Sequence, residues 1–281
     1  MIMAQKLKRK KSLYQRMKEN NTVQAALTFI IPITFGFVVY ALWEGEILHK
    51  WFHTDTFTLP VPTRICLILV ENIDKVWGNV QSTMIVALLG LFLGSLLGYG
   101  IAMIAAMYPK IGMGGLNVIG AFASIPVVAL APVMNNWTKD ISREASVRSM
   151  VAKTIVVMLI AAANMGLNAY RGLSELKPYA EDLMASFAAK KRMTLLKLRL
   201  PNSVPYIFTA LKVSVPASIM TAIVSEYFAE YITGVGRAIR ENIVLAQYAT
   251  AWTYILTACI LGIVMYVLLM IIQSILLRRY H

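Results

Sequence analysis

Few side chains in this sequence are spaced for covalent chemistry. His49 and His53 stand four residues apart with Asp55 just beyond, a spacing at which two imidazoles and a carboxylate can meet on one metal ion. On a polar interfacial stretch, two histidines and one acid read instead as exposed polar residues, and no metal is expected. The remaining histidine, His281, ends the chain, so no nucleophile can be matched with a histidine base. The run "GVGRAIRE" at 234–241 lacks the Gly-x-x-x-x-Gly-Lys-Ser/Thr spacing that cradles phosphates, and that spacing occurs nowhere else. Cys66 and Cys259 lie far apart and form neither a disulfide framework nor a metal-ligand pattern. The chain is therefore expected to be neither an enzyme nor a cofactor carrier.

What the sequence does place deliberately is polarity inside apolar runs, where a polar group is costly and defaults to a functional candidate. Asn164 and Asn168 share one helical face. Ser214, Ser218, Thr221 and Ser225 recur at spacings of three and four, which makes one stripe along a helix. Such a stripe serves a polar path or an interhelical hydrogen-bond seam, and spacing alone leaves both open. Ser124, Asn164, Asn168, Ser214, Ser218 and Thr221 are the expected pathway-lining groups. Glu226 and Glu230 read as residues of an interface rim, and Lys212 as a snorkelling cation near a membrane boundary. Gly90, Gly94 and Gly98 in "GLFLGSLLG" lie on one face and mark a close helix–helix approach, with the partner helix unspecified.

The elements that position these groups follow from composition. The 281 residues are 58% hydrophobic and only 15% charged, and the mean hydropathy is +0.63, which places the chain among membrane proteins. About 20 apolar residues cross a bilayer as a helix. Six such stretches occur, near 24–43, 80–107, 116–134, 151–170, 205–228 and 252–277, with a tight turn near 108–115. The fifth is interrupted by Lys212, Pro216 and Glu226; in the third, Pro126 and Pro132 predict a bent or broken helix. The expected fold class is all-α, a polytopic membrane protein with six transmembrane helices. It divides into a basic arm over 1–23, a transmembrane domain over 24–277 and a tail over 278–281.

A cytoplasmic N-terminus puts the basic arm, Lys110, the insert over 171–204, Arg278 and Arg279 on one side, as the positive-inside rule requires. That topology accounts for the formal net charge of +13 without a nucleic-acid partner. Both termini are then cytoplasmic.

The insert itself, "DLMASFAAKKRMTLLKLRLPNSVPY" at 182–206, alternates leucines with Lys190, Lys191, Arg192, Lys197 and Arg199 and then reaches Leu200-Pro201. Leu183, Met184 and Phe187 give one short helix a greasy edge, and Leu195, Leu196 and Leu198 a second. Pro201 is expected to forbid a clean continuation. A hairpin of this kind offers apolar knobs to a groove; the bland alternative is a basic hairpin lying on anionic lipid.

This insert resembles the cytoplasmic loop of permease subunits of binding-protein-dependent bacterial ABC importers. Anchored on Leu200-Pro201, the family's Glu-Ala-Ala slot falls on Asp182, Leu183 and Met184, and its glycine slot on Ala188. The carboxylate and Leu-Pro are kept; the alanines and the glycine are not. "TLPVPTRI", "SIPVVALAPV", "NAYRGLSELKPYAEDL", the stretch from Leu200 to Phe228, and Gly-Val-Gly at 234–236 extend the likeness over residues 58 to 277. They are most similar to permeases of the nitrate/sulfonate/taurine type.

The resemblance implies a fold with a coupling-helix loop between the fourth and fifth spans, in a bacterial inner membrane. It implies two ATP-binding subunits, which hydrolyse ATP and grip Asp182, Leu183, Met184, Phe187, Ala188, Lys190, Lys191, Leu200 and Pro201. A second permease copy, expected to be identical, and an extracytoplasmic binding protein complete the assembly. The expected cargo is a small polar anion; vitamin-precursor heterocycles of pyrimidine or riboflavin type are the alternative. An ion-coupled secondary transporter would need acids near the midplane, and none of the 14 acidic residues falls there. Ala188 must either avoid a left-handed backbone or bear about 1 kcal/mol of strain.

Overall fold

The computed structural model describes residues 21–229 and 233–279, and among them it contains helices and no strand. The expected basic arm, the last two residues and Glu230 lie wholly or largely outside the described residues. The chain divides into two compact units at Arg64 and Ile65.

The first unit holds helix α1 (Asn21–Glu44), which keeps Pro32 inside it, the short α2 (Ile47–Phe52) and the start of α3 (Pro62–Glu71). Glu44 caps α3: one carboxylate oxygen accepts from the Thr63 amide at 3.1 Å and the other from its hydroxyl at 2.6 Å. His49 corrects an expectation. It is buried, with Nε2 against the Leu59 carbonyl, rather than exposed. Asp55 accepts the Thr58 amide at 2.9 Å, and that bond holds its carboxyl below the usual carboxylate range. One ring nitrogen of His49 is thus committed to backbone, and no group of three metal-ligating side chains occurs among the described residues.

In the second unit the most extensive pairing joins α4 (Ile73–Met107) to α7 (Ala145–Ser174). The reason is the small-residue face of α4. A Cβ on Gly90 would strike the Val157 side chain, one on Gly94 the Met158 carbonyl, and one on Gly98 the Ala162 carbonyl. Lipid supplies no hydrophobic drive for helix pairing, so close backbone approach must supply dispersion contact instead. α10 (Leu200–Tyr227) lies against both; Val86, Ala87, Val157, Ile219 and Ala222 form a core where the three meet.

Among the described residues, four helical segments are long and apolar enough to cross a bilayer: 73–107, 145–174, 191–227 and 248–276, the last being α12. A fifth span results if α5 (Pro109–Ala123) and α6 (Val127–Trp137) count together; they meet at 104°. The bend falls at Pro126 alone, whose φ of −58° and ψ of 129° leave the helical region, while Pro132 is carried inside α6. The first expected span falls on α1, whose described apolar stretch, residues 30–44, is shorter than a bilayer crossing needs. The tight turn expected near 108–115 is instead the first part of α5, started by Pro109 in its first turn.

Pro201 is a second correction. The chain runs as helix through it, from α9 (Lys191–Thr194) through a five-residue π-turn, Leu195–Arg199, into α10. The Leu200 amide donates to the Leu195 carbonyl, five residues back. That wider turn leaves room for the proline ring where a tighter α-turn would clash with the carbonyl four residues earlier.

Candidate functional site

The hairpin after α7 is built from α8 (Ala180–Ser186), a sharp turn, and α9. Tyr179 enters α8 in the left-handed region with φ 62°, and Ala188 leaves it there with φ 49°. The position where the resembled family has glycine therefore takes the geometry that favours glycine, and Ala188 bears the strain. Tyr179, Leu183 and Phe187, four residues apart, present an apolar stripe that is 82%, 59% and 75% exposed. Met184 is half-buried; Asp182, Lys190 and Lys191 are exposed around the stripe. Leu200 is half-buried and Pro201 exposed at the entry to α10. Sequence reasoning missed Tyr179, although its spacing from Leu183 and Phe187 was the available signal.

It also missed what anchors the hairpin. Arg199 donates to the Ala106 carbonyl in the last turn of α4 at 3.3 Å and to the Leu173 carbonyl in the last turn of α7 at 3.1 Å. Its other terminal nitrogen is paired with Glu181 of α8. Asn202 adds bonds to the Gly172 and Glu175 carbonyls at 2.7 and 3.0 Å. Carbonyls at a helix C-terminus lack intrahelical partners and favour a cation. One guanidinium thus fastens α8 to the ends of two membrane helices.

At the opposite ends of α4 and α7 lies a buried polar cluster that the sequence reading had placed on a rim. Glu226 is fully buried. Its Oε2 accepts from the Thr83 hydroxyl at 2.9 Å and from the Gly236 amide at 3.0 Å. The Val235 amide donates to Thr83 Oγ1 at 2.9 Å, and the Gly234 amide to Asn79 Oδ1 at 3.0 Å. Gly-Val-Gly is thereby explained: Gly234 has φ 107°, a Cβ there would strike the Glu226 carboxylate, and one on Gly236 would strike the Ile223 carbonyl. These glycines cap the start of α11 (Val235–Val244) and lock it to α4 and α10. Lys153 of α7, 4% exposed, is the nearby countercharge. Its position within an expected span was the overlooked signal, since an ionisable residue at membrane depth demands a partner.

The expected pathway groups are not gathered at one surface. Ser124 is exposed where α5 and α6 break. Asn164 and Asn168 are half-buried, with the Asn168 side-chain amide donating to the Asn164 carbonyl at 2.8 Å. Ser214, Ser218 and Thr221 are 0–4% exposed, inside the packing of α10. The hydroxyls of Ser214 and Ser218 have no hydrogen-bond partner among the described residues.

Residues 90–281 match the family described as the binding-protein-dependent transport system inner membrane component. The chain belongs to that family. As a binding-protein-dependent permease it is a membrane component of an ABC importer. It is 23% identical over 197 residues to the formylaminopyrimidine transport permease protein ThiX of Halalkalibacterium halodurans, covering 70% of this chain and 74% of that protein. It is 26% identical over 201 residues to a probable ABC transporter permease protein of Haemophilus influenzae, covering 70% and 76%. The fold is shared with a crystal structure of an amino acid ABC transporter with histidines, at a TM-score of 0.59 and 16% identity over 76% of this chain and 97% of that one. It is also shared with the inward-facing MetNI methionine ABC transporter, at 0.55 and 16% over 74% and 95%. The narrower nitrate/sulfonate/taurine type has no support in these relatives. The relative whose name states a solute is a pyrimidine permease.

Proposed function

We propose that this permease carries a small pyrimidine-type heterocycle inward, handed over by an extracytoplasmic binding protein. Two copies of the chain form the path, and two ATPase subunits drive it from the cytoplasmic side, where both termini also lie. The likeness to a formylaminopyrimidine permease supports the solute class.

The coupling reading rests on the hairpin. Its exposed stripe of Tyr179, Leu183 and Phe187 stands on a short helix fastened by Arg199 to the ends of α4 and α7. An ATPase that seats this stripe in a groove moves α4 and α7 as it closes, because the link is a packed, hydrogen-bonded contact and not a loose tether. ATP-driven closure turns the path outward, and hydrolysis resets it. Ser124, Asn164 and Asn168 line the path, and Ser214, Ser218 and Thr221 reach it when α10 shifts against α7. Unpartnered hydroxyls suit that role, since they lose no bond on exposure.

The test is uptake into proteoliposomes holding the permease, its ATPase and its binding protein, with radiolabelled formylaminopyrimidine and taurine as parallel cargoes. ATP-dependent accumulation of the pyrimidine is expected. Accumulation of taurine alone, or uptake indifferent to ATP, overturns the reading.

A further inference from the structure

A cavity of about 180 Å³ opens beside Lys153, at the end of the helix pair remote from the hairpin. Ser82, Ile85 and Val86 of α4, Ser146 and Met150 of α7, and Thr233 line it with the lysine. Drug-sized ligands fill sites of roughly 300 Å³ and upward, so this one suits a single small ring or a comparable solute.

The state of Lys153 makes the cavity more than a packing fault. An ammonium carries three donors and needs acceptors when buried. Lys153 is 4% exposed yet makes no hydrogen bond or ion pair with any described residue. Its countercharge is near but not in contact: Glu226 Oε2 holds Thr83 and the Gly236 amide, and Oε1 has no hydrogen-bond partner among the described residues. The lysine thus lines the cavity with donors uncommitted to any described residue. The walls supply further donors and acceptors through Ser82, Ser146 and Thr233.

Two of those wall residues adjoin the buried cluster. Ser82 precedes Thr83, and Thr233 precedes Gly234. A solute pressing on either wall acts directly on the bonds that lock α11 to α4 and α10.

We propose that this cavity is the permease's own solute site, with Lys153 donating to an acceptor oxygen of the cargo. That oxygen belongs to a formyl or ring carbonyl group of the pyrimidine-type cargo. The proposal rests on the import function above and adds the chemistry by which the permease itself recognises what it passes.

Because import also requires the binding protein, the test measures binding to the permease–ATPase complex in lipid nanodiscs with the binding protein omitted. Labelled formylaminopyrimidine and taurine are titrated separately. The pyrimidine is expected to bind the wild-type complex, and taurine is the control that should not. Lys153→Met should weaken that binding at least about tenfold, and Lys153→Arg should restore most of it, since its donors are kept. Lys153→Met also strips Glu226 of its countercharge. A second variant, Ser146→Leu, therefore fills the cavity while leaving the charges in place, and it should weaken binding as much. Failure of the wild-type complex to bind the pyrimidine, or unchanged binding in both Lys153→Met and Ser146→Leu, overturns the site. In that event, proteoliposome uptake of the pyrimidine would still leave the import function standing.

Discussion

Ala188 and the pair Glu226 and Lys153 carry the sharpest consequences at the scale of single residues. Ala188 has φ 49° at the hairpin turn, where a Cβ crowds the following carbonyl. Ala188→Gly should relieve about 1 kcal/mol, read as tighter association with the ATPase in a pull-down titration. Weaker association would mean that the turn is not held left-handed. Removing one of two opposite buried charges leaves the other uncompensated even where the two do not touch, whereas removing both does not. Glu226→Gln should therefore cost about 3 kcal/mol of stability. Lys153→Met/Glu226→Gln should recover a large part of it in thermal unfolding, and additive losses would argue that the two charges do not interact.

At the scale of elements, packing and coupling can be separated. Gly94 touches the α7 backbone, and Gly100, six residues along the same helix, has nothing within 4 Å of a would-be Cβ. Gly94→Leu should force α4 and α7 apart and abolish recovery of folded permease. Gly100→Ala should be neutral or stabilise by up to about 1 kcal/mol, because alanine is the better helix former. Arg199→Met keeps much of the side chain's bulk but releases the carbonyls of Ala106 and Leu173 and the contact with Glu181. ATP hydrolysis should then persist while transport per ATP falls severalfold. An unchanged ratio of transport to hydrolysis would remove Arg199 from the relay.

For the whole molecule, large apolar side chains remain outside on both α4 and α12, among them Phe92, Leu96, Ile263 and Ile275, each more than 60% exposed. Lipid tails cover such surface without cost, and a second copy can cover part of it. Native mass spectrometry of the lipid-solubilised complex should show two permease chains with two ATPase subunits. Deletion of 182–192 should leave the permease pair without its ATPases.

The sequence by itself determined the class of molecule. Apolar runs of spanning length, a basic insert ahead of Leu200-Pro201 and a doubled small-residue face are local patterns, and they were legible because bilayer thickness and backbone approach act on contiguous residues. Even the break in the third span followed from the fixed φ and missing amide of proline, although only Pro126 and not Pro132 broke it. The tertiary structure decided the rest. It carried the chain through Pro201 by a π-turn, turned His49 inward, and moved Glu226 from an expected rim to the buried centre of a cluster with Thr83 and Gly236. Glu226 and Thr83 are 143 residues apart in sequence, and no local pattern reports which distant amide or hydroxyl will meet a buried carboxylate. Spacing reveals the face a residue occupies; only packing reveals what stands opposite, and at membrane depth that neighbour settles whether a charge can be kept.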